Sequence, residues 1–351
     1  MKTRLFATDA LLPDGWTRDV VIEWNDVGDI VDVRTGVTDS RDVERARGPV
    51  VPGVPNLHSH AFQRAFAGLT EQRAHADDSF WTWRDVMYRF ANRIDPDALE
   101  AIATHVFVEL LRGGYTSVCE FHYLHRQPNG ESYADDAAMS LALVRAAQRT
   151  GIGLTLLPVL YEGNGFGGIA PRPEQRRFVV GVDALLDLVA KLRRECASHA
   201  VRVGLAIHSL RAVSPASIDA ALDRLQSIDA TAPIHIHVAE QEREVEECMA
   251  WSGQRSVEWL LDHVALDARW CLVHATHMND REVRAAARTG AVAGLCPTTE
   301  ANLGDGVFDG VGWQAADGAL GLGSDSNVCT DAFAEIAMLE YSQRLARKRR
   351  N

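Results

Sequence analysis

Asn56-Leu57-His58-Ser59-His60 closes an apolar run with two histidines one residue apart. Alternate side chains of a strand share a face, so both rings would point the same way and could grip one metal ion. The same pairing of an apolar run with a terminal polar residue recurs downstream, at His122, His208, His237, His274 and Asp325. One histidine at a strand end is more often a packing residue; five strands ending in histidine and another in aspartate point instead to a shared site. Three neutral imidazoles and a carboxylate suit a single divalent transition metal, with zinc the first expectation and Fe2+ the alternative. We expect His58, His60, His237 and Asp325 to be its ligands. His235 has the same spacing relative to His237 and is the internal rival. Glu240 favours His237, because a carboxylate three residues on can sit beside water held by the ion.

For these residues to meet, the runs that carry them must lie side by side. Eight apolar runs alternate with helical stretches: 50–58, 115–122, 152–160, 201–209, 233–239, 270–275, 291–296 and 318–325. Such alternation predicts a parallel sheet with helical crossovers, and eight is the closing number of an α/β (β/α)8 TIM-like barrel over residues 49–351. In that architecture the carboxyl ends of the strands form one face, where residues remote in sequence converge. The helices carry recognisable ends. Asp95-Pro96 and Ser214-Pro215 open two of them, Gly113-Gly114 closes one, and Asn279 with Glu282 resembles a capping box. Before the barrel, runs at 5–12, 19–24 and 29–37 separated by turn residues predict part of a small β-domain over residues 1–48.

Composition narrows the classes. The net charge of -12 argues against a nucleic-acid binder, and the basic stretch Arg344 to Arg350 reads as cations at a helix end. No apolar stretch is long enough to span a bilayer and the amino terminus lacks a signal-peptide layout, so a cytoplasmic protein without a membrane partner is expected. The six cysteines are scattered without a C-x-x-C pair and read as reduced, mostly buried thiols. His75, His105, His199 and His263 read as surface or packing residues, while His125 and His277, just past strand ends, are either ligand-orienting partners or plain loop residues.

His58-Ser59-His60, His237 with Glu240, His274 and Gly323-Ser324-Asp325-Ser326 resemble the amidohydrolase superfamily in its mononuclear deaminase branch. Longer segments narrow the resemblance to the formimidoylglutamate deiminases of histidine degradation: Pro55 to Arg64, Ser79-Phe80-Trp81-Thr82-Trp83-Arg84, Glu120 to His125, and His208-Ser209-Leu210-Arg211-Ala212-Val213. Two-metal hydrolases of this architecture bridge their ions with a modified lysine on the fourth strand. This chain has only Lys2, Lys191 and Lys348, none near that strand, so one metal per chain is expected.

The resemblance implies zinc at His58, His60, His237 and Asp325, proton chemistry by Glu240, His274 and Asp325, and substrate contacts from Gln63, Arg84, Tyr123, His208 and Arg211. It implies hydrolysis of the small dicarboxylate N-formimino-L-glutamate to N-formyl-L-glutamate and ammonia, and a homodimer. Two arginines suit such a substrate, since a guanidinium fork recognises a carboxylate well. Trp81 and Trp83 either wall the pocket or pack at a helix entry. The resemblance also implies relatives that run on past the position of Asn351, so the small β-domain is expected to lack its returning strands and to expose edges and apolar surface. Two other readings are a deaminase of the same branch acting on a purine, pyrimidine or triazine ring, and an inactive metal-binding remnant.

Overall fold

The computed structural model describes residues 3–26, 28–38, 41–71, 80–197 and 201–350. His75, His199 and the Trp81 side chain lie outside the described residues. The chain divides into two compact units, Met1–Val54 and Pro55–Asn351. That division falls a few residues beyond the expected limit at 48.

The first unit is a four-stranded sheet of β1 (Thr3–Leu12), β2 (Gly15–Trp24), β3 (Ile30–Arg34) and β4 (Glu44–Arg45), in the order β3-β2-β1-β4. β1 and β2 form an antiparallel hairpin that turns at Gly15, whose φ of +110° suits glycine. Ala7, Ala10 and Val20 form its buried cluster, with Leu12, Ile22, Ala46 and Val50 packed on it. β3 is an edge strand whose residues are all exposed, Ile30, Val31 and Val33 included.

In the second unit, parallel strands close on themselves. They are β5 (Val54–Ser59), β6 (Tyr115–His122), β7 (Gly153–Leu160), the paired segments β8 (Val201–Val203) and β9 (Leu205–Ile207), β10 (Ile234–Val238), β11 (Trp270–His274), β12 (Val292–Leu295) and β13 (Leu320–Leu322). The order β6-β5-β13-β12-β11-β10-β9-β7-β8, with β6 also pairing β7, makes an eight-stranded barrel in which β8 and β9 share one position. The break between them is local. A Cβ at Gly204 would stand 2.4 Å from the Pro233 carbonyl oxygen, an approach only glycine allows, and backbone bonds continue through it from Gly204 to Leu156 and from Leu205 to Pro233.

β10 and β11 are buried along their whole length, as strands covered on both faces must be. Each fully buried aliphatic side chain contributes about 1.5–3 kcal/mol. The surrounding helices are α1 (Phe80–Ala91), α2 (Pro96–Arg112), α3 (Ala138–Thr150), α4 (Val182–Glu195), α5 (Pro215–Ile228), α6 (Glu242–Ser252), α7 (Ser256–His263), α8 (Asp280–Arg288), α9 (Pro297–Leu303), α10 (Gly310–Ala315) and α11 (Ala332–Arg347). Their predicted ends are made as the sequence suggests. Asp95 accepts from the Ala98 amide at 2.8 Å, Ser214 from the Ser217 amide at 3.2 Å, and Asn279 and Glu282 cap each other's amides. Among the described residues no helix is long and apolar enough to cross a membrane. All six cysteines are free, four of them buried.

Candidate active site

β5 ends in His58 and Ser59, with His60 following; β10 carries His237, β11 ends in His274, and Asp325 follows β13. The barrel order brings β5 and β13 together, and the ends of all four strands open on one face. The Nε2 of His58 lies 3.1 Å from Nε2 of His60, 3.0 Å from Nε2 of His237 and 3.2 Å from Oδ1 of Asp325; His60 Nε2 is 3.4 Å from the same oxygen. All four side chains are buried.

Their outer atoms fix which nitrogen is bare. His60 Nδ1 donates to the Phe121 carbonyl at 2.9 Å, and His237 Nδ1 donates to the His208 carbonyl at 3.0 Å. A carbonyl can only accept, so the neutral rings carry their hydrogens on Nδ1 and turn unprotonated Nε2 atoms inward. Burial drives His237 far below the ordinary histidine range and His60 to about 3, which keeps both rings neutral. Two lone pairs and a carboxylate oxygen thus converge around His58 Nε2, which could donate a hydrogen to only one of them. A cation resolves that repulsion. Adjacent ligands of a tetrahedral zinc with bonds of about 2.0–2.1 Å stand roughly 3.3 Å apart, close to the spacing found. His58, His60 and Asp325 form one three-donor group and His58, His237 and His274 another, each with its atoms within 4.8 Å of one another, so His58 joins two groups able to hold a divalent ion.

His235 sits one strand repeat deeper than His237; it is buried, its Nδ1 has no hydrogen-bond partner, and it lies outside the cavity lining and the donor cluster. Lys191 is bound to Asp135 and Asp136 on the exterior, each at 2.6 Å.

Beside the donor set, His274 Nδ1 lies 3.2 Å from Oε1 of Glu300, and its Nε2 lies 3.7 Å from Oε1 of Glu240. Burial opposes charge on this ring, but the Glu240, Glu300 and Asp325 carboxylates outweigh it and raise its pKa to about 10. Burial pushes Glu240 up, against the pull of His274 and Arg211. Burial also works against the Asp325 carboxylate, yet its bond to His58 and the neighbouring rings hold it well below the usual range. Glu240 is therefore an acid that holds its proton more readily than a surface glutamate, and Asp325 one that releases it.

The cavity over these groups is lined by Gln63, Arg84, Tyr123, His208 and Arg211, together with Trp83. Gln63 Nε2 donates to the Tyr123 hydroxyl at 3.1 Å, while its buried Oε1 has no hydrogen-bond partner. His208 Nδ1 meets Ser209 Oγ at 3.0 Å. Arg84 and Arg211 also line an outer cavity of about 670 Å³ at the mouth, so both guanidiniums stand where the entrance meets the inner pocket. His122 and His125 are buried beside each other, ring centroids 5.3 Å apart, and do not line the cavity. His125 Nε2 bonds the Val159 carbonyl and His277 Nε2 the Asp305 carbonyl. Both brace loops. His263 stacks on Trp259 and His105 is largely exposed beside Glu109.

Sequence reasoning passed over several residues that build the site. Asn327, with φ +58°, donates through Nδ2 to Ser59 Oγ and to the carbonyls of His60 and Asp325, each at 3.1 Å. Asn56 Nδ2 donates to Ser324 Oγ at 2.6 Å, and Ser324 Oγ donates to Asn327 Oδ1. His274 (φ +65°) and Asp325 (φ +45°) both occupy the left-handed region that such residues rarely adopt. Gly323 makes this possible at β13, where a Cβ would stand 2.8 Å from His58 Cβ. The signal available in sequence was the polar run Gly323 to Asn327, which only the fold places against His58.

A parallel barrel with a His/Asp metal site at its carboxyl-terminal face is the architecture of the amidohydrolases, and the amidohydrolase family model matches residues 50–351. The chain belongs to that family. Within it, residues 2–46 match the N-terminal domain of formimidoylglutamate deiminase, and the chain is 51% identical to the formimidoylglutamate deiminase of Pseudomonas aeruginosa over 99% of its own length and 76% of that protein's. It is a member of the formimidoylglutamate deiminase family, hydrolases acting on C–N bonds. The fold superposes on an amidohydrolase from Brucella melitensis with a TM-score of 0.94 and 48% identity, covering 99% of this chain and 77% of that one. An 8-oxoguanine deaminase of P. aeruginosa is 27% identical over 86% of this chain and 66% of its own. Neither a ring deaminase nor an inactive remnant is favoured by these similarities.

Proposed function

We propose that the chain hydrolyses N-formimino-L-glutamate to N-formyl-L-glutamate and ammonia, in the cytoplasm, as a zinc-dependent homodimer serving histidine breakdown. The reading rests on one observation above the rest: two arginines, Arg84 and Arg211, line the same pocket as the donor cluster. A dicarboxylate needs such partners, and the two guanidiniums set this pocket apart even though Trp83, Tyr88, Tyr161 and Phe178 also line it.

Zinc at His58, His60, His237 and Asp325 supplies Lewis acidity that activates water near neutral pH. The chain's own groups do the rest. Gln63, Tyr123, His208 and the two arginines hold the substrate with its formimino carbon over the donor set. Glu240 takes a proton from the attacking water and delivers it to the imino nitrogen. His274, held by Glu300, donates from Nε2 to the oxygen that becomes the formyl oxygen. Asp325 removes the remaining hydroxyl proton and passes it to the leaving nitrogen, so the tetrahedral carbon collapses to the formyl group and the nitrogen departs as ammonia. One water is consumed and the C=N bond becomes C=O.

Ammonia release from N-formimino-L-glutamate, beside guanine, cytosine and S-adenosylhomocysteine, tests the assignment. Turnover of the linear substrate alone is expected; turnover of a ring alone would overturn it.

A further inference from the structure

Glu244 lies in the first turn of α6, where acidic residues ordinarily stay solvated and complement the helix dipole. This one is 1% exposed. Its Oε1 accepts a hydrogen bond from the backbone N–H of Ala239 at 2.9 Å. Ala239 stands between His237 and Glu240 and has φ +50°, a conformation an alanine holds only when its surroundings impose it. The opposite side of the same residue is pinned by the His277 amide, which donates to the Ala239 carbonyl at 3.0 Å. The turn that aims Glu240 is therefore clamped on both its polar groups, and one jaw is a side chain.

The second oxygen faces elsewhere. Oε2 of Glu244 is buried without a hydrogen bond and lies 3.7 Å from Nε of Arg211, itself a buried donor with no hydrogen-bond partner. Nη2 of Arg211 is 3.9 Å from Oε2 of Glu240. Glu244 thus occupies the Nε edge of the guanidinium and shares it with Glu240, leaving the remaining Nη donors for an incoming carboxylate. Without that charge, the Nε edge of Arg211 loses the carboxylate 3.7 Å away that anchors it.

We propose that Glu244 is a positioning residue that sets two parts of the site with one carboxylate: Oε1 fixes the turn bearing Glu240, and Oε2 holds Arg211 in its substrate-facing pose. This deepens the deiminase reading and rests on it.

Two variants separate the two oxygens. Glu244→Gln keeps an oxygen for the Ala239 amide and withdraws the charge. KM for N-formimino-L-glutamate, and the calorimetric Kd for N-formyl-L-glutamate, are expected to rise about tenfold while kcat stays within about threefold. Glu244→Asp keeps the charge but shortens the reach, releasing the Ala239 amide; kcat is expected to fall about tenfold or more with KM little changed. Zinc content is expected to stay at the wild-type value in both. Native kcat and KM in either variant, or a loss confined to thermal stability, would overturn the proposal. Should the wild-type chain release no ammonia from N-formimino-L-glutamate, the activity reading fails on that result alone. The Glu244 inference is then decided by whether Glu244→Gln weakens N-formyl-L-glutamate binding.

Discussion

Asp325 and His58 are joined twice: the Asp325 amide donates to the His58 carbonyl at 2.9 Å, and the Asp325 carboxylate lies 3.2 Å from the His58 ring. The backbone bond closes the seam between the last and first barrel strands, and the side-chain approach places two proposed metal ligands across it. Barrel closure and site assembly are thus one event. β13 pairs with β5 at a single register position, Leu322 with Asn56, so the contacts beyond the strand ends carry much of that seam.

Asn327 is the side chain that ties this seam together, with three bonds from one amide nitrogen. Replacing it with alanine removes these bonds at about 0.5–1.5 kcal/mol each, although the His60 and Asp325 carbonyls keep the Gln63 and His60 amides. Asn327→Ala should lower the midpoint of thermal unfolding and reduce zinc retained through dialysis, read by elemental analysis. Native stability and native zinc content together would show that the seam does not need it.

Glu240 is placed as the proton carrier and stands outside the donor cluster. Glu240→Gln should leave zinc content per chain unchanged while kcat falls by about 10²–10⁴-fold. Loss of the metal in this variant would instead make Glu240 a ligand.

Glu300 meets His274 at Nδ1 and also accepts the Cys296 amide at 2.9 Å. In Glu300→Gln the amide can still satisfy one of these partners, but one of the three carboxylates that keep His274 protonated, beside Glu240 and Asp325, is gone. We expect kcat to drop about 10–100-fold, the range seen when an orienting partner is lost, with the alkaline limb of the pH profile moved to lower pH. An unmoved alkaline limb would separate Glu300 from the protonation of His274.

Glu335 on α11 is buried and accepts from the Thr298 amide at 2.9 Å and from the Thr298 hydroxyl. Burial raises its pKa from the ordinary 4.5 to about 7, in spite of those bonds. The folded state therefore binds a proton more tightly than the unfolded chain, so its contribution to stability is full below about 4.5 and falls as pH rises to about 7. Thermal unfolding followed across that window should show this decline in the wild-type chain and a flatter profile in Glu335→Gln. Equal slopes in the two would refute it.

The sequence made the barrel, and the cluster of polar strand ends proposed to hold the metal, legible for a physical reason. Strand ends with polar residues are local signals, and His-x-His declares its shared face through the two-residue strand period alone. What stayed hidden depends on distance in space. Glu244, Glu300 and Asn327 look like ordinary polar residues of helices and loops, and their roles exist only because the fold brings Ala239, His274 and Asp325 within bonding range. The fourth run, expected as one strand over 201–209, is divided at Gly204, where the chain passes close to Pro233 and which no periodicity announces. The left-handed backbone of His274 and Asp325 was equally unreadable, since neither residue type advertises it.

The seam between β5 and β13 also carries a message about synthesis. Because His58 lies on the first barrel strand and Asp325 follows the last, a chain emerging from the ribosome offers two histidines long before it offers the carboxylate that completes the set. An ion met early would be held loosely and exchanged easily. With the proposed ligands, the full donor set exists only once β13 has been made, so tight metal binding would wait on the last strand of the barrel.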